Sequence, residues 1–139
     1  MNFKEVIEYK INMLIDLMIT DGVSPNDLAN NIFLDKYENI SFYKEDDFII
    51  GKLSFKTDLN ELIQMRYIYS KDNRILRIEE QVNGKNNVLW DRSMRESEMV
   101  KDLLEFLTVA YEPKQVESFI KTLPASVRTV ICNEQYKTA

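Results

Sequence analysis

Residues 67–92 read YIYSKDNRILRIEEQVNGKNNVLWDR, and this stretch decides the fold. Apolar and polar residues alternate along it with a period of two, which is typical of strands that bury one face. Asn83-Gly84 favours a two-residue hairpin turn, because both central positions of that turn require a positive φ. Residues 71–74 supply a second polar turn. The stretch therefore predicts antiparallel strands joined by two hairpins, over residues 61–70, 74–82 and 87–91.

The residues before this stretch continue the same alternation. Residues 39–44 and 47–56 are two further predicted strands, and the polar turn Glu45-Asp46-Asp47 lies between them. Short connections make consecutive strands neighbours in space. We therefore expect an antiparallel meander sheet of about five strands over residues 39–91.

Helical periodicity flanks the sheet on both sides. Apolar residues recur at three- and four-residue spacing over residues 3–20, and Ser24-Pro25 is typical of the start of a short helix over residues 25–34. The buried face of that short helix is predicted to consist of Leu28, Ile32 and Phe33. After the sheet, the same spacing predicts helices over residues 94–111, 113–123 and 125–133.

These elements predict an α+β fold in one domain, residues 1–139. A chain of 139 residues can bury about two-thirds of the surface that its unfolded form exposes. Each strand offers one mainly apolar face, so we expect the N-terminal and C-terminal helices to pack mainly on one face of the sheet.

Composition favours the cytoplasm. The single cysteine, Cys132, has no internal disulfide partner, and the charged start MNFKEVIEYK is unlike a secretory signal. The longest apolar block, residues 11–19, is far shorter than the ~20 residues of a membrane span. The chain is acidic, with a net charge of −5, and its richness in Ile and Asn is typical of a bacterial or phage genome.

The sequence argues against most enzyme chemistries. It contains no histidine, the commonest general base and metal ligand, and its three isolated glycines exclude a glycine-rich phosphate loop. Cys132 lies in an apolar run, so we expect a buried structural thiol. We therefore predict no catalytic residue, no metal site and no cofactor, and we expect the chain not to be an enzyme.

Carboxylates supply the third-ranked hypothesis, a carboxylate-metal hydrolase. Asp58 or Asp72 followed by Glu79-Glu80-Gln81 superficially resembles the acid, then acid-x-lysine pattern of magnesium-dependent nucleases. Gln81 stands where that pattern has lysine, and the lysine is the residue that steadies the developing charge. Alternating exposed charges on a half-buried strand explain Glu79 equally well.

Charge and aromatic content indicate a candidate binding surface. Residues 62–95 carry seven basic and four acidic side chains in a chain that is negative elsewhere. Arginine and tryptophan are the residues that dominate protein-binding hot spots. The candidate surface consists of Arg66, Arg74, Arg77, Trp90 and Arg92. Two alternatives stay open: Trp90 belongs to the core, and the arginines merely keep the sheet hydrated.

The leading hypothesis is a non-enzymatic intracellular domain that binds another protein, of the inhibitor, immunity, chaperone or adaptor type. The second hypothesis is that the sheet face with Arg66 and Arg77 binds an anionic ligand or nucleic acid. Nucleic acid is the less favoured ligand, because the body of the chain is negative. A homodimer through the first helix is a further hypothesis, since Val6, Met13 and Ile19 widen its apolar stripe.

Overall fold

The computed structural model of the chain describes residues 2–138. In chain order its elements are the helices α1 (Phe3–Ile19) and α2 (Pro25–Asn30), a 3₁₀ turn (Asn31–Phe33), the strands β1 (Tyr37–Glu45), β2 (Phe48–Lys56), β3 (Leu62–Tyr69), β4 (Ile75–Val82) and β5 (Lys85–Asp91), and the helices α3 (Arg92–Ala110), α4 (Pro113–Lys121) and α5 (Ala125–Thr138). The strands form one antiparallel sheet in the order β1-β2-β3-β4-β5. The predicted α+β class and the five-stranded meander are confirmed.

The hairpin turns have the backbone geometry that their residues favour. Asn83 and Gly84 have φ values of 52° and 78°, as the turn between β4 and β5 requires. Asp46 and Asn73 also have positive φ, in the turns after β1 and β3. Asparagine and aspartate tolerate this conformation best among residues with a Cβ atom.

The described residues fall into two compact units. The sheet unit is Thr20–Arg92, and the helical unit consists of the described parts of Met1–Ile19 and Ser93–Ala139. Each unit has its own cluster of buried apolar side chains. That the whole chain is one domain, and that the terminal helices pack mainly on one sheet face, stay predictions.

The helical unit packs α1, α3, α4 and α5 around one core. Its buried side chains are Ile7, Ile11, Leu14, Val100, Leu103, Leu107, Val116, Ile120, Val127 and Ile131. Lys10 and Asp102 form an ion pair between α1 and α3. Glu112 and Gln115 cap the start of α4 reciprocally, which satisfies backbone donors that the first helical turn leaves without partners. None of the helices among residues 2–138 has the length and apolarity that a membrane span requires.

The sheet unit buries one face of the sheet beneath α2. Leu28 of α2 is 2% exposed and packs with Leu53, Tyr69 and Ile75. Ser24 caps α2 as predicted, since its hydroxyl accepts a hydrogen bond from the backbone N–H of Asp27. We call this side of the sheet the covered face.

One local expectation is wrong, and two further features depart from what strictly local patterns indicate. Ile32 and Phe33 are exposed, because α2 ends at Asn30 and the chain tightens into the 3₁₀ turn, which rotates the following side chains out of the helical phase. Ile75 joins Tyr69 on the covered face, because an irregularity at Ile68/Tyr69 shifts the β3–β4 register by one residue. Ser93 does not cap α3, because that helix already begins at Arg92.

Candidate binding surfaces

Arg66 and Arg77 lie on the sheet face opposite to the covered face. Arg66 is directly opposite Glu79 in the β3–β4 ladder, and Ile68 is directly opposite Arg77. Residues that are opposite each other in a ladder, and residues two apart along a strand, point to the same side of a sheet. Arg66, Arg77 and Glu79 therefore share one surface, which we call the arginine face.

The two arginines of this face are held by carboxylates. Arg66 Nη1 donates to Glu79 Oε1 at 3.0 Å, and Arg66 Nη2 lies 3.4 Å from Glu45 Oε2. Arg77 Nε lies 3.0 Å from Glu79 Oε2, and Arg77 Nη1 lies 3.8 Å from Asp91 Oδ2. Glu79 therefore bridges both guanidinium groups with its two oxygens. Two positive charges face three negative ones, so this network is not a positive patch.

The protonation of Arg66 reflects the same neighbours. Partial burial alone would lower the pKa of its guanidinium, but a hydrogen bond with Tyr43 and the nearby Glu79 and Glu45 carboxylates outweigh that effect. The net result is a pKa above the ordinary value of arginine. The Arg66 charge is therefore permanent and already compensated within the sheet unit.

A shallow polar groove of about 250 Å³ crosses the arginine face. Tyr43, Lys52, Gln64, Arg66, Glu79 and Asn86 are among its lining residues. The groove offers donors and acceptors in similar numbers. Such a lining suits water or a polar protein surface better than a strongly anionic ligand.

Arg74 lies elsewhere, in the turn before β4. Its backbone pairs with Ser70 across the turn, and its Nε lies 3.6 Å from Asp21 Oδ1. The side chain is half-buried. Arg74 thus joins the turn to the segment that follows α1, and the structure does not bring it to the Arg66–Arg77 network.

Arg92 is a structural residue, and Trp90 packs against the core. Arg92 is 6% exposed; its Nε donates to the carbonyl of Ile75 at 2.8 Å, and its Nη2 donates to the carbonyls of Thr20 at 2.7 Å and Asp21 at 3.4 Å. The guanidinium also lies 5.3 Å from the centre of the Trp90 ring. Trp90 is opposite Ile78 on the covered face and is half-buried. Neither Trp90 nor Arg92 lies beside Arg66 and Arg77.

Sequence reasoning missed the most exposed apolar segment of the sheet unit. Ile32, Phe33 and Leu34 are consecutive and exposed, and Phe33 is 84% exposed. The 3₁₀ turn holds them in place, since the N–H of Leu34 donates to Asn31 and the N–H of Tyr37 donates to Leu34. We call these three residues the 3₁₀ patch. The sequence does contain a signal for the end of the helix, the pair Asn30-Asn31. Asparagine is a poor helix former, yet the predicted helix continued through both residues to residue 34.

Strand β1 beside this patch is an edge of the sheet. It pairs only with β2, and seven of its nine residues are exposed. Phe42 and Tyr43 remain 38% and 40% exposed, on opposite faces of the strand. An exposed edge of this length carries backbone donors and acceptors that a further strand could pair with.

The helical unit contains two apolar grooves. A groove of about 930 Å³ lies beside Val116 and Ile120 at α4 and α5, and one of about 640 Å³ lies between α1 and α4 beside Ile11 and Phe119. Cys132 lines the first groove and is exposed, so the expectation of a buried thiol is wrong. The reason is its phase on α5: over residues 125–135 the buried positions are Val127, Ile131 and Glu134.

Carboxylates do not gather into a metal site among residues 2–138: no group of three or more Cys, Asp and Glu side chains could hold an ion there. Both oxygens of Glu79 are engaged by arginine. Asp47 pairs with Lys71 at 3.0 Å, so the acidic turn after β1 is tied to the turn after β3. These carboxylates serve as partners of basic side chains.

Comparison of the chain with models of known protein families, with curated proteins and with solved structures finds no match. No relative therefore supplies a function, and the surfaces of the chain itself are what a proposal must rest on.

Proposed function

We propose that the chain is a non-enzymatic intracellular protein-binding domain, of the inhibitor, immunity, chaperone or adaptor type, that covers an apolar surface of another protein with its 3₁₀ patch. The observation that carries this proposal is the exposure of Phe33 at 84% within a hydrogen-bonded turn. A contiguous group of large exposed apolar side chains is typical of a protein interaction site.

The geometry of the patch suits binding by contact. The turn already orders the backbone of residues 31–34, so docking costs less conformational entropy than docking of a free loop. Asp35 and Lys36 follow the patch and cancel each other in charge, while Asn30 and Asn31 precede it. The rim is therefore neutral overall, which fits a weakly charged apolar partner surface.

The second-ranked hypothesis, an anionic ligand or nucleic acid on the arginine face, has less support. Arg66 and Arg77 would have to give up Glu45, Glu79 and Asp91 before they could hold phosphate. Steering of an anion also needs a positive local field, and Arg66, Arg77 and the neighbouring Lys52 are matched by the three carboxylates Glu45, Glu79 and Asp91. The hypothesis of a metal-dependent hydrolase has still less support, since a metal ion could bind Glu79 only after the ion pairs of Glu79 with Arg66 and Arg77 had broken.

An intracellular location is supported by Cys132. The thiol is exposed, and an exposed unpaired thiol is most stable in a reducing compartment. Location is part of the proposal, and fractionation of the cells that express the chain would test it.

The test is affinity capture with the full chain from the cells that express it, at about 0.5 M salt, where exposed charge pairs are largely screened. The matched variants are Phe33→Ser and Leu59→Ser, because both residues are 84% exposed in the sheet unit. We expect a partner that Phe33→Ser loses at least tenfold and that Leu59→Ser retains. Equal capture by both variants, or capture only at low salt together with retention on heparin, would overturn the proposal.

A further inference from the structure

We infer that Asn83-Gly84 is a site of spontaneous covalent modification, at which the side-chain amide of Asn83 is lost as ammonia and the residue becomes aspartate or isoaspartate. The site is the two-residue turn between β4 and β5. This inference does not rest on the proposed function, since it concerns that turn rather than the 3₁₀ patch.

The reaction needs only groups of the chain and water. The backbone nitrogen of Gly84 loses its proton to hydroxide and attacks the side-chain carbonyl carbon of Asn83. The new C–N bond closes a five-membered ring, and the amide nitrogen leaves as ammonia with a proton from water. Water then opens the cyclic imide. Cleavage of the new C–N bond gives aspartate, and cleavage of the original peptide C–N bond gives isoaspartate, whose backbone runs through the former side chain.

The first support is the space around the attacking nitrogen. Gly84 has no side chain, and even a Cβ atom placed on it would meet no other heavy atom within 4 Å. Asn83 and Gly84 are both exposed. Val82 and Lys85 close the turn as a ladder pair, which leaves the Gly84 N–H between them without a ladder acceptor. The nitrogen is therefore accessible to hydroxide.

The second support is the position of the turn at the tip of an edge hairpin. Ring closure requires rotation about the Cα–C bond of Asn83, so the turn must open briefly. Strand β5 pairs only with β4, and residues 83–89 are all exposed. A segment with few buried contacts opens locally at low cost. The tip of this hairpin therefore permits the geometry that ring closure needs.

The third support is the contrast with Asp21-Gly22, where an aspartyl carboxyl group could close the same ring with loss of water. The carbonyl of Asp21 accepts a hydrogen bond from the backbone N–H of Ile75 at 2.8 Å, and Gly22 packs closely against the Ile75 side chain. These contacts hold the backbone at that position. A carboxylate is also a poorer electrophile than an amide. The structure therefore favours reaction at Asn83.

The modification changes both the charge and the shape of the hairpin. Each product carries a carboxylate in place of the amide, which adds one negative charge. Isoaspartate also inserts a methylene group into the backbone, so Val82 and Lys85 no longer flank a two-residue turn. The next ladder pair, Gln81 with Asn86, lines the shallow polar groove of the arginine face. We therefore expect isoaspartate formation to disturb one end of that groove.

Peptide mass spectrometry of the full chain tests the reaction, after several weeks in mildly alkaline or mildly acidic buffer. Asn60 and Asn73 are internal controls, since both have positive φ, 63° and 66°, but precede Glu61 and Arg74. A following side chain that raises the barrier by about 1.4 kcal/mol slows ring closure about tenfold. We expect Asn83 to convert at least tenfold faster than either control, and faster in alkaline buffer. Equal conversion of the three, or conversion of none, would overturn the inference.

Two variants test the role of the glycine and the effect on the turn. Gly84→Ala should slow the conversion of Asn83 about tenfold. Asn83→Asp has the charge of the products on an unaltered backbone, so its Lys85 amide should stay protected from hydrogen exchange, whereas the purified isoaspartate form should lose that protection. Conversion of Gly84→Ala at the wild-type rate, or equal protection of Lys85 in the two charged forms, contradicts the inference.

Discussion

Arg66 lies directly opposite Glu79 in the β3–β4 ladder, and an ion pair of 3.0 Å joins Arg66 Nη1 to Glu79 Oε1. The same carboxylate also holds Arg77, so Glu79, together with Glu45 and Asp91, compensates two of the four arginines of the predicted binding surface. The most basic part of the chain is for this reason a poor anion site. Contact through exposed apolar residues becomes the better supported mode of action.

Glu79→Gln should turn the arginine face into an anion-binding surface. The amide keeps the shape of the side chain but removes the charge that compensates Arg66 and Arg77. We expect elution from heparin at higher salt than for the wild-type chain, with a loss of about 1–3 kcal/mol in the free energy of unfolding, because the Glu79 carboxylate is half-buried between the two guanidinium groups. Strong retention of the wild-type chain itself on heparin would contradict this account.

Arg92→Met should destabilise the sheet unit strongly. The buried guanidinium donates to the carbonyls of Thr20, Asp21 and Ile75, and its loss removes three hydrogen bonds, of which the one to the carbonyl of buried Ile75 is itself buried. We expect the free energy of unfolding in urea to fall by about 3 kcal/mol.

The matched control for Arg92 is Arg95→Met. Arg95 belongs to the same helix but is exposed, where it pairs with Glu98 at 3.0 Å. We expect a change within about 0.5 kcal/mol for this variant. Similar losses for the two substitutions would mean that Arg92 does not join the segment after α1 to β4.

Gly22→Ala should be far more costly than Gly84→Ala. Both glycines have positive φ, 88° and 78°, so both substitutions strain the backbone by about 1–2 kcal/mol. Of the two, only Gly22 would bring the new Cβ against another atom, Ile75 Cγ2, well inside van der Waals contact; the space at Gly84 is open. Thermal unfolding of both variants separates the contact from the strain, and equal shifts would show that the close approach of Gly22 to Ile75 is wrong.

The stability of the sheet unit should fall at alkaline pH. Burial raises the pKa of the Tyr69 phenol above its ordinary value, and the pKa of Tyr67 is raised for the same reason. A group whose pKa is raised on folding contributes its full stability below the unfolded pKa of about 10 and loses it as the pH rises towards the folded pKa.

Tyr69→Phe isolates one of these groups. The variant loses the hydrogen bond to the carbonyl of Val23 at 2.8 Å, so it should be about 1 kcal/mol less stable at neutral pH. Between pH 9 and 11 its stability should fall less steeply than that of the wild-type chain, because one raised phenol is gone. Parallel pH profiles in denaturant titrations would contradict the assignment.

The sequence predicts the elements well because their signals are local. Alternation, Asn83-Gly84 and Ser24-Pro25 each specify the backbone around them, and the strands and helices lie where these patterns indicate. The register between β3 and β4 was harder to predict from the sequence. One irregularity at Ile68/Tyr69 moves Ile75 into the core, and such an irregularity depends on pairing between strands, which local patterns do not contain.

The candidate surface was harder still. That Arg66 and Arg77 share a face follows from period two, but Glu45 reaches Arg66 from β1, a strand that is not its neighbour in the sheet. The Arg92 guanidinium donates to carbonyls of residues that lie 17 to 72 positions away in the chain, so its burial could not be read from local sequence. Phe33 was assigned to a buried helical face because the apolar spacing of α2 continues through it, although the poor helix formers Asn30-Asn31 mark the point where the helix tightens into the 3₁₀ turn.

The central claim is that the chain acts by apolar contact through the 3₁₀ patch. The most direct measurement is the affinity of the captured partner for the full chain at about 0.05 M and about 0.5 M salt, with Phe33→Ser and Leu59→Ser beside the wild type. The claim predicts less than about a threefold change in affinity with salt, and at least a tenfold loss for Phe33→Ser alone. A hundredfold loss of affinity at high salt, with Phe33→Ser binding as tightly as the wild type, would contradict it.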